Sequence, residues 1–172
     1  MQISGELSFL PPYVRLTKHA KLFALGIGAL IIDQTTKAIA LLMLLPGQPV
    51  PLLRGLNLTL GFNKGASFGM LGDVMAGRPL TMAALTGAIT LAVAVLAFRS
   101  PRMPEASGLA LIAGGSAGNV IDRLRHGAVT DYLDLYWGEW HWPTFNFADV
   151  FITSGVAMLL IASLSQKSAA DR

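Results

Sequence analysis

Four long, nearly uninterrupted apolar stretches dominate this sequence, at about residues 21–45, 80–98, 106–124 and 150–165. A helix needs about 20 mostly apolar residues to cross the hydrocarbon core of a bilayer. Only 13% of the 172 residues are charged and 53% are hydrophobic, whereas about a quarter of the residues in a soluble domain are charged. We therefore predict an all-α membrane protein, a single domain over residues 1–172 built on a four-transmembrane-helix bundle.

Positive charges near the ends of the spans predict the orientation of the bundle, because cytoplasmic loops carry an excess of Lys and Arg. Basic residues precede the first span, join the second span to the third and close the chain: Arg15, Lys18, Lys21, Arg99, Arg102, Lys167 and Arg172. We expect these regions and both termini to be cytoplasmic. Residues 46–79 and 125–149 then lie outside, and we expect residues 1–14 to form a loosely ordered arm.

The two outer segments have different patterns. Residues 56–60 alternate between apolar and polar side chains, which predicts a short strand in a small sheet on the membrane surface. The second outer segment is rich in amphipathic aromatic residues, which prefer the headgroup level: Tyr132, Tyr136, Trp137, Trp140 and Trp142. We expect this second segment to lie along the interface.

Composition and spacing exclude several classes of partner. The chain has no cysteine, so disulfides and thiolate metal ligands are excluded. The three histidines lack the close spacing of helical zinc motifs, and no cofactor or metal is indicated. The thirteen Lys and Arg residues are scattered, without the basic stripe of a nucleic-acid-binding surface. We therefore predict no nucleic-acid partner.

Polar residues within the spans form two candidate clusters. Asp33 and Lys37 lie four residues apart in the first span, so they project from one helical face and can pair. An ionisable residue inside a membrane suggests function, but a neutralised pair that only orients the bundle explains the spacing as well. Asn119, Asp122 and Arg123 also share a face, which could hold a loop, a ligand or a substrate carbonyl.

Asp131 and Asp149 form the second candidate pair. Asp131 follows the third span and Asp149 opens the fourth, so both lie near the same outer boundary and could meet over a water molecule. Two charges about 4 Å apart at an effective dielectric constant near 20 repel by about 4 kcal/mol. Such a pair would share one proton near neutral pH, as an aspartic protease requires. The alternative is that these residues cap helices, since Asp is a common N-cap.

Three other functions are compatible with parts of the sequence. Residues 65–69 match the G-x-S-x-G motif of serine hydrolases, with His126 or His141 as the base, but the required strand-to-helix turn is doubtful there. A transporter would use Asp33, Lys37 and Asp122 as an ion path, yet the second span has no charge before its end. A scaffold protein would tolerate replacement of either dyad aspartate by Asn.

Five motifs, taken together and in order, strongly resemble the lipoprotein signal peptidase (signal peptidase II) family. They are Asp33-Gln34-x-x-Lys37, Asn63-x-Gly65-Ala66-x-Phe68, Gly114-Gly115-x-x-Gly118-Asn119-x-x-Asp122-Arg123, Gly127-x-x-x-Asp131-Tyr132 and Phe145-Asn146-x-Ala148-Asp149. The resemblance covers about residues 22–165. It implies four helices in the bacterial inner membrane with both termini cytoplasmic, a periplasmic sheet cradle and an interfacial segment.

The resemblance also implies an activity and a set of site residues. The family consists of aspartyl endopeptidases that remove signal peptides from prolipoproteins, cutting before a cysteine that carries diacylglycerol. The implied catalytic dyad is Asp131 and Asp149, on the periplasmic side. Supporting residues at family-typical positions are Asn119, Arg123, Asn146, Asp33, Lys37, Asn63 and Gly115. Membrane lipid and globomycin-type cyclic peptide inhibitors are further implied partners, and we expect a monomer in which residues 132–142 form a flap.

Overall fold

The computed structural model describes residues 17–65 and 78–170, which form four long helices and one four-stranded sheet. The helices are α1 (Lys18–Met43), α2 (Pro79–Arg99), α3 (Met103–His126) and α4 (Phe147–Ala170). The strands are β1 (Val50–Leu53), β2 (Leu56–Asn63), β3 (Val129–Trp137) and β4 (Trp140–His141). Each predicted span falls on one helix.

Local sequence signals set the ends of the helices. The Thr17 hydroxyl caps α1 by accepting a hydrogen bond from the backbone N–H of Ala20 at 3.3 Å. The first helix ends at Met43, two residues before the predicted end of the span, because Leu44 is already extended on the way to Pro46, which disfavours helical backbone before it. Pro79 opens α2, and Gly127 ends α3 with a φ of 72°, a conformation that glycine adopts without strain.

Large apolar side chains cover the outside of the bundle, and small ones fill its inside. Leu42 is 86% exposed and Leu160 is 61% exposed, whereas Ala106 is fully buried. The buried cluster near the start of α1 is similarly small: Leu22, Ala97, Ala106 and Ala110. This distribution is typical of helices in lipid, where close backbone approach rather than burial of large apolar groups holds the bundle together.

Three of the described helices, α1, α2 and α4 as far as Ser165, are long and apolar enough to cross a membrane. Helix α3 does not meet this criterion, since it carries Glu105, Asp122 and Arg123 among its charged residues. It packs against all three other helices and is the centre of the bundle. Its glycines make this possible: a Cβ on Gly108 would lie 2.8 Å from the carbonyl oxygen of Gly155 in α4.

The sheet is antiparallel with the strand order β1-β2-β3-β4. The predicted strand at residues 56–60 is the first part of β2. The aromatic segment that we expected along the interface is folded as β3 and β4, joined by a tight turn at Gly138, which has a φ of 59°. The Tyr132 hydroxyl donates to the Thr36 hydroxyl of α1 at 2.7 Å. This contact fixes the middle of β3 against the bundle.

Candidate active site

Asp131 lies in β3 opposite Gly61 of β2, and its side chain is 4% exposed. The Asn146 amide donates to Asp131 Oδ1 at 2.6 Å, and the side chain of Asn63, at the end of β2, also hydrogen-bonds this carboxylate. Strand pairing therefore sets the position of Asp131 along the sheet, and two amides set the orientation of its carboxylate.

Asp149 lies in the first turn of α4, where it forms a capping box with Asn146. Asn146 Oδ1 accepts from the backbone N–H of Asp149 at 3.1 Å, and Asp149 Oδ2 accepts from the backbone N–H of Asn146 at 3.2 Å. Such reciprocal bonds satisfy N–H groups that lack partners at the start of a helix. Asp149 is thus a capping residue as well as a candidate catalyst, whereas Asp131, inside a strand, caps no helix.

Asn146 connects the two carboxylates. Its side chain is fully buried. The Nδ2 atom donates to Asp131 Oδ1, and the backbone N–H of Asn146 donates to Asp149 Oδ2. Asn119 of α3 adds a third link, donating from Nδ2 to Asp149 Oδ1 at 3.2 Å. The structure therefore brings Asp131, Asp149, Asn119 and Asn146 into one hydrogen-bonded group.

A buried charge cluster lies beneath this group. Lys37 is 2% exposed, and its ammonium is 2.9 Å from Asp33 Oδ2 and 3.2 Å from Asp122 Oδ2. The same ammonium donates to Asn119 Oδ1 at 2.8 Å, and Gln34 donates to Asp122 Oδ1 at 3.1 Å. The expected Asp33–Lys37 pair is present, and its contact with Asn119 connects it to the dyad.

The charge cluster also fixes the backbone next to Asp131 and Asp149. Asp33 Oδ1 accepts from the N–H of Ala148 at 2.9 Å, and Asp122 Oδ2 accepts from the N–H of Thr130 at 2.9 Å. Ala148 directly precedes Asp149, and Thr130 directly precedes Asp131. Each buried carboxylate therefore fixes the peptide group next to one member of the dyad.

Two glycines of α3 leave the space that this arrangement requires. A Cβ on Gly115 would lie 2.6 Å from the carbonyl oxygen of Ala148, and a Cβ on Gly118 would overlap the Asp33 carboxylate. Because Cβ atoms do not approach backbone oxygens this closely, Gly115 lets α4 pack directly on α3. This packing places Asp149 beside Asn119.

Arg123 and Asn63 join the site to the connection after β2. The Arg123 guanidinium donates from Nη2 to the Gly65 carbonyl at 3.0 Å and from Nη1 to the Asn119 carbonyl at 3.3 Å. Its Nε is buried and has no hydrogen-bond partner within the part of the chain that the structure describes. Asn63 Oδ1 accepts from the Gly65 N–H at 3.0 Å. Arg123 thus holds the backbone of the connection after β2 at the edge of the site.

A cavity of about 690 Å³ opens beside the dyad. Both carboxylates, Asn63, Asn119 and Arg123 line it, together with apolar residues from α2, β3, α4 and the connection before α4: Met82, Val129, Leu135, Trp142, Pro143, Phe145, Val150 and Ile152. Helices α2 and α4 both pack on α3 and form opposite walls. Mostly apolar walls with a few convergent polar groups are typical of a substrate site.

Burial and the neighbouring Asp149 carboxylate raise the pKa of Asp131 to about 7, although hydrogen bonds from Asn146 and Asn63 oppose the shift. Removal of a carboxylate from water disfavours its charged form, and a second negative charge adds to this cost. Asp131 is therefore close to half-protonated at neutral pH. One neutral and one ionised carboxyl group can then share the site.

Several contributors to the site were not predicted from sequence. Gln34, Thr130 and Ala148 act through long-range hydrogen bonds that no spacing pattern predicts. Gln34 and Ala148 belong to the quoted motifs, but the sequence assigned them no role in the site. Ser116, in the cavity wall, could have been predicted. It lies three residues before Asn119 and seven before Arg123, so it shares their helical face.

The structure describes part of the alternative serine-hydrolase site and all three residues of the alternative ion path. Residues 66–69 of the G-x-S-x-G motif lie outside the described residues, while its candidate base His141 is 2.7 Å from Asp134 Oδ1. The candidate ion path through Asp33, Lys37 and Asp122 is a paired and buried cluster. Over residues 17–65 and 78–170, no group of three metal-ligating side chains is arranged to hold a metal ion.

The chain is similar to known proteins over most of its length. The family model for signal peptidase II matches residues 25–165. The lipoprotein signal peptidase of Geobacter sulfurreducens is 38% identical over 148 residues, which cover 84% of this chain and 91% of the relative. That of Burkholderia mallei is 42% identical over 143 residues, covering 81% and 86%. A solved structure described as a bacterial membrane enzyme superposes with a TM-score of 0.76 at 28% identity, covering 87% of this chain and 90% of that one.

Proposed function

The chain belongs to the signal peptidase II family, and from this premise we propose that Asp131 and Asp149 are its catalytic dyad. The chain is a membrane protease that removes signal peptides from prolipoproteins. The observation that carries the assignment is that Asn146 donates to both carboxylates, from its side chain to Asp131 and from its backbone N–H to Asp149, at the wall of one cavity.

The geometry supports an aspartyl mechanism. The ionised carboxylate takes a proton from a water molecule, whose oxygen then bonds to the scissile carbonyl carbon. The neutral carboxyl group gives its proton to the carbonyl oxygen, so the tetrahedral intermediate is uncharged. When the C–N bond breaks, one hydroxyl of the intermediate returns its proton to the second carboxylate as the carbonyl reforms, and the proton taken from water passes from the first carboxyl group to the leaving amine. The scissile bond is the one before the diacylglyceryl-modified cysteine.

The supporting residues divide into two groups in this proposal. Asn119 and Asn146 orient the dyad, and the positive guanidinium of Arg123, which lines the cavity, attracts a substrate backbone carbonyl. Asp33 and Lys37 hold the dyad indirectly, through the backbone of Ala148 and the side chain of Asn119. Asn63 and Gly115 position the connection after β2 and the start of α4.

The membrane arrangement is also part of the proposal. Helix α3 crosses the bilayer with the other three, since its 24 residues extend about 36 Å at 1.5 Å per residue and it is packed against all of them. A single domain lies in the bacterial inner membrane as a monomer, with both termini cytoplasmic and the dyad at the periplasmic face. Membrane lipid surrounds the bundle, and globomycin-type peptides bind in the cavity.

The dyad can be tested with the purified protein in detergent and a diacylglyceryl-modified prolipoprotein. Asp131→Asn and Asp149→Asn should each abolish cleavage, whereas Asp134→Asn should retain it. Asp134 is a matched control because it is a buried carboxylate in the same strand that is not part of the cavity wall. Cleavage at the parent rate by either folded dyad variant would refute the assignment.

The orientation can be tested separately, because the chain has no cysteine. Lys64→Cys and Arg102→Cys place single thiols at opposite ends of the bundle. A membrane-impermeant maleimide added to intact spheroplasts should label the first thiol and not the second. The reverse pattern would invert the proposed topology without affecting the dyad.

A further inference from the structure

An apolar groove of about 460 Å³ lies between α1 and α2, on the surface of α3. It shares no lining residue with the cavity that contains the dyad. Its floor is made of small residues of α3, including Ala110, Ala113 and Ala117, and its walls include Leu22 and Leu91. The proposed peptidase mechanism does not use this groove.

The length of the groove corresponds to one leaflet of a bilayer. Its wall extends along α1 from Leu22 to Leu30 and along α2 from Gly87 to Phe98. At 1.5 Å per residue these walls are about 12 and 16 Å long, and half of the hydrocarbon core is about 15 Å. One extended acyl chain can therefore occupy the groove from the headgroup level to the middle of the bilayer.

The end of the groove near the start of α1 is basic. Lys18 and Lys21 begin α1, and Arg99 and Arg102 flank the connection between α2 and α3, where Glu105 is the acidic residue. The Lys18 ammonium donates to the Ser100 carbonyl and so joins α1 to this connection. Among the described residues at this end, four cations accompany one carboxylate, that of Glu105, which pairs with Arg102 at 3.3 Å. The excess of positive charge makes this end attractive to an anionic headgroup.

We propose that the groove binds one acyl chain of an anionic glycerophospholipid whose phosphate lies against this basic end. The basic end argues against a signal peptide as the occupant, because the n-region that precedes its apolar segment is itself positively charged. An acyl chain also suits the shallow floor of alanines, since it carries no side chains to accommodate.

Native mass spectrometry of the full chain, released from detergent micelles, tests the proposal. The protein is delipidated and then incubated with dioleoyl phosphatidylglycerol or dioleoyl phosphatidylcholine, which have identical acyl chains. We expect one phosphatidylglycerol to be retained at least tenfold more than phosphatidylcholine. Equal retention of the two lipids, or no retained lipid, would overturn the proposal.

Two pairs of variants separate the acyl site from the headgroup site. Ala94→Leu fills the groove and should lose the bound lipid, whereas Ala157→Leu adds the same volume at an exposed position of α4 and should keep it. The double variant Lys21→Gln/Arg99→Gln should lose the preference for phosphatidylglycerol. Its control, Arg54→Gln/Arg125→Gln, removes two charges at the opposite end and should keep the preference.

Competition with substrate identifies the occupant. A prolipoprotein with an uncleavable signal peptide should leave the retained phosphatidylglycerol in place. Its displacement by the prolipoprotein would assign the groove to the signal peptide and overturn the proposal. Retention of lipid by Ala94→Leu would do the same, and continued peptidase activity of that variant shows that it has folded.

Discussion

Asp131→Asn should make the folded protein more stable at neutral and mildly alkaline pH while abolishing cleavage. The unfolded chain releases the Asp131 proton near the usual pKa of 3.8, whereas burial and Asp149 raise the pKa in the folded protein to about 7. The folded state therefore binds more protons than the unfolded state between these values. Its stability should fall as the pH rises through this window.

The magnitude follows from the size of the pKa difference. A rise from 3.8 to about 7 corresponds to roughly 4 kcal/mol, since one pKa unit is worth about 1.36 kcal/mol. This is a large part of the roughly 5–15 kcal/mol that stabilises a typical protein. Asparagine has the same shape, can still accept from Asn146 and carries no charge, so it removes this cost.

Asp134, in the same strand, is a control for which the expected change in stability has the opposite sign. Burial raises the pKa of Asp134, but hydrogen bonds from His141 and Thr59 lower it, and the resulting pKa is below the usual value. The two bonds are 2.7 and 2.9 Å long. Asp134 therefore stabilises the folded state at neutral pH, and this contribution is lost as the pH falls through its lowered pKa. Asp134→Asn should destabilise the protein where Asp131→Asn stabilises it.

Denaturant unfolding of the three proteins in detergent, measured from pH 4 to pH 8, tests this reasoning. The parent and Asp131→Asn should have similar stability near pH 4 and diverge steadily up to pH 7. The electrostatic account of the site is refuted if Asp131→Asn is no more stable than the parent at pH 8. It is also refuted if Asp131→Asn and Asp134→Asn change the stability in the same direction.

Three other substitutions test the supports of the site. Lys37→Met should destabilise the protein by about 3–5 kcal/mol, because it leaves the Asp33 and Asp122 carboxylates buried without their cation. Thermal unfolding in detergent measures this loss, and an unchanged unfolding temperature would contradict the prediction. Gly115→Val should lower the stability of the protein by about 1–3 kcal/mol and lower kcat, since the added Cβ would displace α4 and Asp149. A normal kcat would show that the close contact between α3 and α4 is unnecessary for catalysis. Trp140→Ala should raise KM severalfold, because the Trp140 ring packs on Trp142 of the cavity wall with 5.9 Å between the ring centroids. Unchanged peptidase kinetics would count against residues 132–142 acting as a flap.

The helices could be predicted because each depends on a property of a continuous segment. A run of apolar residues reports directly on helix formation in lipid, so all four spans fall on helices. Their ends were less predictable, as at α1, where Leu44 and Leu45 are apolar but already extended toward Pro46. Helix α3 is less apolar than the other three helices, and two of its charged residues, Asp122 and Arg123, are buried within the protein.

The site was predictable only in part, because its residues come from five distant segments. Spacing showed that Asp33 and Lys37 share one helical face, but not that Asp33 accepts from the backbone of Ala148, 115 residues away. The aromatic content of residues 132–142 predicted a preference for the interface and missed the pairing of β3 with β2, which joins residues as far apart in sequence as Gly61 and Asp131. Local composition does not report such long-range strand pairing.

The capping role of Asp149 and its proposed catalytic role support each other. The start of α4 carries a partial positive charge, which favours a carboxylate in the first turn, and Asp149 accepts N–H groups at both oxygens. Asp131 lies in a strand and has no helix terminus to stabilise its charge. We therefore expect Asp131 to carry the shared proton. Infrared difference spectra at pH 6 should show a carboxylic acid C=O band that Asp131→Asn removes and Asp149→Asn retains; loss of the band only in Asp149→Asn would reverse the two roles.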